Sequence, residues 1–320
     1  MSNLHLKSRG LRRRIKLRSA LLTAVAVVLV GTGLFLIFRS QQPAYGGKNL
    51  NDWLDRLQAK GEEDQEAVLA VRQIGTNAIP FLVKMMRSED SSLKRHLIGM
   101  LRMQRLVKIN IVDDQERHLR AEIGFAVLGP IAGSAVPELE PLIWKSSITR
   151  SAVGALVSTG NEGLRVATTA LRSTNAFVRR ETTGRLGAIG IVRFSTNCTP
   201  EQLQILRSQA EIAVPPLIAV CADPDELVRA RAAIALGLLG QKPDQAIPVL
   251  EKLLREESGW RVPAAAAKSL GRFGTNAVTA IPALKQAVEH KDSRVSGSAR
   301  DALQAIDAAA AGVGAKEDPE

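Results

Sequence analysis

Few side chains of this 320-residue chain have the types and spacing that catalysis or metal binding requires. Its four histidines, at positions 5, 96, 118 and 290, are isolated, and only His290 follows a second metal-ligating residue, Glu289. One His-Glu pair supplies too few ligands for a metal site. The sequence also lacks HExxH, GxSxG and CxxC motifs. We therefore expect no bound metal, no cofactor and no enzymatic activity.

Two further patterns have chemical interpretations. Cys198 and Cys221 are the only cysteines, and they are compatible with one disulfide or with two unreactive thiols. The glycines at 184, 187 and 190 have the GxxGxxG spacing of some phosphate-binding loops. No strand pattern precedes them, and Gly187 and Gly190 also fit a repeat described next. The spacing therefore favours a structural role over nucleotide binding.

Residues 227–306 match themselves after a shift of 34 positions. The residues Val228, Ala232, Leu236, Gly237, Gly240 and Pro248 coincide with Val262, Ala266, Leu270, Gly271, Gly274 and Pro282. A third copy begins at Val295. A fixed period of this length is typical of a repeat array.

Each repeat has the pattern of two helices. Val228, Ala232, Leu236 and Leu239 form one apolar stripe at helical spacing. A glycine then ends the first helix, where a positive φ is favoured, and a proline opens the second. One such pair cannot bury its own apolar surface, so the sequence predicts an all-α, right-handed solenoid of about seven helical hairpins. The predicted structural positions are Gly75, Pro80, Gly129, Pro137, Gly160, Gly190, Gly240, Pro248, Gly274 and Pro282.

The segment V-R-A-R-A-A-I-A-L-G-L-L-G followed by A-I-P-V-L resembles a short bacterial HEAT-like repeat, of the kind also found in phycobilisome-lyase-type proteins. The tetratricopeptide repeat has the same length, but its Trp, Leu-Gly and Tyr signature is missing. The segments Y-G-G-K at 45–48, A-V-R-Q-I-G-T-N-A-I-P-F-L at 70–82 and S-E-D-S-S-L-K at 88–94 are similar to N-terminally anchored bacterial HEAT-repeat proteins with no assigned activity. That resemblance implies a repeat scaffold and brings no catalytic residues.

The N-terminus indicates a membrane anchor. Residues 1–19 carry seven basic side chains and no acidic one, and Leu21 to Phe38 is uncharged. Eighteen helical residues span roughly 27 Å, close to the thickness of a bilayer core. No small-residue cleavage pattern follows, although a cleaved signal peptide remains the alternative. The basic end should stay cytoplasmic, which places the repeats outside the cytoplasm, in the periplasm if the cell has two membranes.

The net charge of +11 is concentrated near the N-terminus. Removing the seven basic residues before position 20 leaves +4, which argues against nucleic-acid binding. Residues 84–108 are nevertheless locally basic. They form either a solvated helix face or a patch that contacts lipid headgroups or an acidic partner. The candidate contact residues are Lys94, Arg95, Arg102, Arg105 and Lys108.

The predicted organisation has five parts: a basic cytoplasmic N-terminus (1–19), a transmembrane anchor (20–38), a linker (39–50), a solenoid (51–307) and a disordered tail (308–320). Insertions are expected near 88–118 and 191–210, and the second is a candidate contact region. Within it, Thr199 should cap a helix that begins at Pro200. Asn51 is expected to cap the first helix, and Trp53 to cover the first repeat.

The leading functional hypothesis is a non-enzymatic, membrane-tethered scaffold that holds a protein partner on its concave surface, lined by the second helices. The alternative is a lyase-like protein that binds a chromophore or another small ligand. A third possibility, nucleic-acid binding, requires a cytoplasmic array with a basic groove. The predicted topology and the low remaining charge argue against it.

Overall fold

The computed structural model describes residues 42–60, 64–103, 112–194, 199–256 and 259–314. They form a series of helices preceded by one small β-hairpin. Its strands are β1 (Ala44–Tyr45) and β2 (Lys48–Asn49). The helices are α1 (Leu50–Lys60), α2 (Gln65–Ile74), α3 (Ile79–Met86), α4 (Ser92–Met103), α5 (Asp114–Leu128), α6 (Val136–Leu139), α7 (Thr149–Ser158), α8 (Asn161–Thr169), α9 (Ala176–Ala188), α10 (Pro200–Ala219), α11 (Glu226–Leu239), α12 (Pro243–Leu254), α13 (Arg261–Arg272), α14 (Ile281–Val288) and α15 (Ser293–Gly314).

The hairpin lies in the segment predicted to be a linker. Gly46 and Gly47 turn the chain with φ of 56° and 75°, and Tyr45 pairs with Lys48. Trp53 is 2% exposed and donates its Nε1 proton to the Tyr45 carbonyl at 3.1 Å. Trp53 therefore closes the N-terminal end of the core, as predicted. The expected Asn51 cap is wrong, because α1 already begins at Leu50.

Most of the predicted repeat glycines end a helix with a positive φ. The values are 60° at Gly75, 61° at Gly129, 95° at Gly160, 55° at Gly240 and 55° at Gly274. Gly190 differs, because it lies in a 3-10 turn (Ile189–Phe194) without a positive φ. A Cβ at Gly190 would lie 2.3 Å from the Leu238 carbonyl carbon, so a close helix approach explains this glycine.

Three of the four predicted prolines open their helices. Pro80, Pro137 and Pro282 occupy the first turn of α3, α6 and α14. The expectation for Pro248 is wrong, since α12 begins at Pro243 and Pro248 lies inside it. A 3-10 turn precedes α3 and α14. In the repeat that contains α12, the corresponding residues form regular α-helix instead. The helix therefore begins one turn earlier.

The repeats form two rows of helices with unequal spacing. In the C-terminal half, α9, α11, α13 and α15 pack side by side, whereas α10, α12 and α14 contact one another only slightly. When a two-layer stack curves, the closely spaced row lies on the inside. We call α5, α7, α9, α11, α13 and α15 the inner helices. The expectation that the second, proline-containing helices line the concave surface is therefore wrong.

Small residues permit the close spacing of the inner helices. A Cβ at Gly187 would lie 2.9 Å from the Ala235 Cα, and one at Gly237 would lie 2.7 Å from the Ser269 Cα. A Cβ at Gly271 of α13 would likewise lie 2.9 Å from the Ala302 Cα on α15. In the C-terminal half, α9, α11 and α13 therefore each present backbone, rather than a side chain, to the next inner helix.

The insertion near 191–210 and the C-terminus differ in detail from the predicted organisation. Thr199 caps α10 through a capping box with Gln202, as predicted. However, α10 continues without a break to Ala219 and merges the insertion with the next outer helix. The terminal helix α15 extends to Gly314, beyond the predicted boundary at 307, because residues 308–311 are all alanine and Ala309 packs near Gly274.

Apolar side chains fill the space between the two rows in two clusters. One is built from residues between Leu50 and Val178, and the other from residues between Leu164 and Ile306. Val157 packs against both, so the clusters meet around α7 and α8.

Ion pairs connect successive repeats at one end of the inner helices. Arg179 of α9 holds Asp223 through two hydrogen bonds of 2.7 and 2.8 Å. Its neighbour Arg180 pairs with Asp225, which also accepts the Val228 N–H and so caps α11. These contacts lower the pKa of Asp225 to about 2, with the Arg180 hydrogen bond as the main cause.

Two glycines of α9 provide a matched test of the packing. Gly187→Ala should destabilise the chain by about 1–3 kcal/mol, because the added methyl overlaps α11. Gly184→Ala should instead stabilise it by about 0.5–1 kcal/mol, because the nearest atom, on Arg231, is 3.7 Å away and alanine favours helix. Urea unfolding followed by circular dichroism measures both. Equal effects of the two substitutions would contradict the close helix approach.

Asp225 provides a test of the capping ion pair. Asp225→Ala should cost about 1–2 kcal/mol through the lost cap, whereas Asp225→Asn keeps the cap and loses only the charge. Because the folded-state pKa is depressed, the charge contribution is present above pH ~4 and is lost as the pH falls towards 2. The stability difference between wild type and Asp225→Asn should therefore shrink over that range. A difference independent of pH would exclude a charge effect.

Candidate interaction surface

The inner helices leave one long face exposed. On α13, Ser269 faces α11, Gly271 faces α15, and buried Leu270 points to the outer row. Positions 261, 268 and 272 lie on the remaining side and are exposed. The same helical spacing on the other helices defines the inner face: Gln115, Leu119, Glu122, Ala126, Ser151, Gly154, Ser158, Phe177, Glu181, Gly184, Ala188, Leu227, Arg231, Ile234, Leu238, Arg261, Lys268 and Arg272.

A groove of about 510 Å³ crosses this face from α5 over α7 to α9. Leu119 and Phe177 line it and are 41% and 44% exposed. Large apolar side chains exposed together in a concave surface indicate a binding site for another molecule. The rest of the lining is polar, with Gln115, His118, Glu122, Ser146, Ser147, Arg150, Ser151, Glu181 and Arg185.

The Glu122–Arg185 pair forms the floor of this groove. Arg185 binds both carboxylate oxygens of Glu122, at 2.7 and 3.0 Å. Burial raises the pKa of the Glu122 carboxyl, and Arg185 and Ser151 partly oppose that effect. Gly154 makes room for the pair, since a Cβ there would lie 2.4 Å from a Glu122 oxygen. The Arg185 Nε is buried without a hydrogen-bond partner.

Glu181 connects three inner helices across the next part of the face. Its carboxylate pairs with Arg231 of α11 at 2.8 Å and with Arg150 of α7 at 3.9 Å. Arg231 also donates to the Arg180 carbonyl. The charges around the groove are therefore arranged in pairs, and the exposed apolar side chains lie between them.

These groove residues were not identified from the sequence. Glu122 and Arg185 are 63 positions apart, so their pairing leaves no local pattern. A usable signal does exist for Phe177. Phe177-Val178-Arg179 and Leu227-Val228-Arg229 occupy the same repeat position, and both put a large apolar residue before the buried valine.

The predicted basic contact region is only partly described. Lys94 lies on α4 and pairs with Asp90 at 2.5 Å. The side chains of Arg95 and Arg102, and residues Arg105 and Lys108, lie outside the described part. On the described part of α4, Leu93 and Met100 are 69% and 50% exposed.

The insertion predicted near 191–210 exposes apolar side chains on α10. Leu203 and Ile205 are 37% and 58% exposed there. They are two positions apart on one helix, so they lie on different faces of α10 and form no single apolar surface.

Reactive groups do not gather within the described residues. No cluster of three histidine, cysteine, aspartate or glutamate side chains occurs among them. Cys221 is a buried free thiol whose pKa burial raises to about 12, so it is a poor nucleophile. The other cysteine, Cys198, lies outside the described residues, so the structure does not test the disulfide alternative.

Two described stretches, Asp114–Trp144 and Pro200–Ala222, are long and apolar enough to cross a bilayer. Half of the first window and a third of the second are buried inside the structure. The predicted anchor at 20–38 lies outside the described residues.

Together, the two rows of helices and the exposed inner face define an α-helical repeat solenoid. A family model described as HEAT repeats matches residues 214–310, so this part of the chain carries HEAT-like repeats. No curated protein matches the sequence.

Solved structures show limited similarity. An engineered protein is 22% identical with a TM-score of 0.43, covering 73% of this chain and 98% of its own. A designed armadillo repeat protein in complex with the peptide (KR)4 is 20% identical with a TM-score of 0.43, covering 71% and 99%. Human deoxyhypusine hydroxylase is 14% identical with a TM-score of 0.30, covering 72% and 96%. Similarity at this level assigns no function.

Proposed function

We propose that this chain is a non-enzymatic scaffold that binds a segment of a protein partner along its inner face. The observation that carries the proposal is the groove between α5 and α9, where Leu119 and Phe177 are exposed among paired charges. Such a surface offers apolar contacts for affinity, and the surrounding charges fix register. The open groove and the absence of a reactive cluster from the described residues favour binding over catalysis.

The chromophore or small-ligand alternative receives less support. A small-ligand site buries most of its ligand in an enclosed apolar cavity. The groove is instead open along the inner face, and charged side chains make up much of its lining. An extended segment of a partner fits such a surface better than a compact ligand.

We further propose that the scaffold is tethered to a bacterial membrane by residues 20–38, with residues 1–19 cytoplasmic and the repeats outside the cytoplasm. The uncharged run from Leu21 to Phe38 and the preceding basic residues support this arrangement. The tether would hold the inner face close to the bilayer surface and restrict its partners to that compartment.

The basic segment carrying Lys94, Arg95, Arg102, Arg105 and Lys108 is proposed to contact anionic headgroups or an acidic partner. The proposal rests on its net charge of +5 over residues 84–108 and on the exposed Leu93 and Met100 of α4. Basic residues beside exposed apolar side chains suit the surface of an anionic membrane.

Crosslinking in the native host tests the inner face. A photo-reactive phenylalanine analogue placed at Phe177 should give discrete crosslinked products, because that side chain lies in the groove. The same analogue at Lys285, exposed on outer helix α14, should give few or none. The Phe177 products should weaken when Leu119→Ser removes an apolar contact. No product from Phe177, or equal products from both positions, would overturn the proposal.

Vesicle binding tests the basic segment. Residues 42–320 carrying Arg102→Glu and Arg105→Glu should bind vesicles containing phosphatidylglycerol at least about tenfold more weakly than wild type, since each basic residue contributes about 1 kcal/mol near an anionic surface. The matched control, Arg165→Glu with Arg172→Glu, changes exposed positions of α8 and the following turn. Co-sedimentation at low and high salt measures both. Unchanged binding in the first variant would support the solvated-face alternative for membranes, and a pull-down with the same variants tests the acidic partner.

A further inference from the structure

The C-terminal part of the inner face carries two cations that have no acidic partner within the described part of the chain. Lys268 and Arg272 lie one turn apart on α13, and both are exposed. Among the described residues, neither forms an ion pair. Asp301 occupies the equivalent stripe of α15, one helix away, and pairs with neither of them.

The other cations of this face are already engaged. Arg185 pairs with Glu122, and Arg150 and Arg231 pair with Glu181. Arg261 lies 3.6 Å from Glu226. The imbalance of charge is therefore local to Lys268 and Arg272.

Arg272 is held in a partly dehydrated position. Burial lowers the pKa of its guanidinium, and no carboxylate opposes that effect. An incoming carboxylate would supply the missing partner and form charge-assisted hydrogen bonds.

Apolar side chains lie on the adjoining helix. Leu227 and Ile234 of α11 belong to the same inner face and are each 38% exposed. On α9, Gly184 and Ala188 are small, so they leave room above this part of α11. The face thus changes from apolar on α11 to cationic on α13.

We propose that the inner face across α11 and α13 binds an extended peptide segment in which a large apolar residue is followed by acidic residues. The apolar side chain packs on Leu227 and Ile234, and the carboxylates pair with Lys268 and Arg272. Packed helices lie about 8–10 Å apart, which corresponds to roughly three residues of extended peptide. The acidic residues therefore lie roughly two to four positions from the apolar one, and repeated Leu-Asp-Asp triplets contain aspartates two and four positions from a leucine. This inference rests on the proposed partner-binding function and specifies the chemistry of the partner.

A peptide fits the surface better than a nucleic acid. Phosphate backbones are bound by many cations, and this region offers two free ones. Elsewhere on the face, Arg150, Arg185 and Arg231 are already paired with Glu122 or Glu181, so they offer few free charges to a polyanion that extends along the inner helices. The apolar contacts on α11 also require a partner with aliphatic or aromatic side chains.

The test uses the full chain in nanodiscs of zwitterionic lipid and a fluorescein-labelled peptide of four Leu-Asp-Asp triplets. Fluorescence anisotropy should show saturable binding. Peptides of four Ser-Asp-Asp or four Leu-Lys-Lys triplets, and a twelve-nucleotide thymidine strand, should bind at least about tenfold more weakly, a difference of about 1.4 kcal/mol. Equal binding of the serine peptide or of the DNA would overturn the proposal, because either result indicates a general polyanion site.

Matched variants locate the site. Lys268→Glu with Arg272→Glu should weaken binding of the leucine-aspartate peptide at least about tenfold through charge reversal. Lys268→Arg with Arg272→Lys should retain binding. The control, Lys285→Glu with Lys291→Glu, makes the same charge change at exposed positions outside the inner face and should leave binding unchanged. Circular dichroism and melting temperature confirm that each variant folds. Equal loss of binding in the two glutamate pairs would contradict the assigned position.

Two outcomes separate this inference from the broader proposal. If the peptide does not bind while Phe177 still crosslinks to a partner in cells, the acidic partner class is wrong and the scaffold function stands. If the peptide does not bind and Phe177 gives no crosslinked product, both the acidic partner class and the scaffold function are wrong. The chain itself ends in Lys316-Glu317-Asp318-Pro319-Glu320. Binding that appears only after deletion of residues 315–320 would assign the site to this acidic C-terminus and overturn the partner assignment.

Discussion

The close approach of the inner helices is the constraint on which the rest of the structure depends. A Cβ added at Gly187, Gly237 or Gly271 would lie less than 3.0 Å from an atom of the next helix, so the two helices would have to move apart. Close packing between backbones fixes both the distance and the rotation of each helix, because a rotated helix would bring a side chain into the contact. The stripe opposite the outer row is therefore left exposed in every repeat. The interaction surface is a direct result of how the solenoid is packed.

Much of this architecture could be predicted from the sequence, because its signals are local. The 34-residue period, the glycines with positive φ and the Thr199 cap each depend on a few neighbouring residues. The extension of α15 to Gly314 and the early start of α12 at Pro243 were missed. Both concern helix ends, where weak propensities compete and tertiary contacts such as Ala309 beside Gly274 decide.

The assignment of inner and outer rows could not be obtained from the repeat pattern alone. Both helices of a repeat have an apolar stripe, and the pattern does not state which row is more tightly spaced. The positions of the glycines do indicate which row is more tightly spaced. Gly237 and Gly271 lie in the last turn of the first helices, three positions before the positive-φ glycines Gly240 and Gly274. A glycine in a helical position is unfavourable unless another backbone approaches it. The candidate site was even harder to predict from the sequence. Glu122 and Arg185 are 63 positions apart and come together only through the packing of their helices.

The unequal spacing of the two rows has a consequence for the motions of the solenoid. The outer helices α10, α12 and α14 contact one another only slightly, so small changes in curvature can be absorbed there at little cost. The inner row is held by backbone contacts and by the Glu181 bridge between three helices, and it resists stretching. The distances between corresponding positions of the inner face should therefore stay constant. A bound segment would keep its register with these positions while the outer row accommodates the bending.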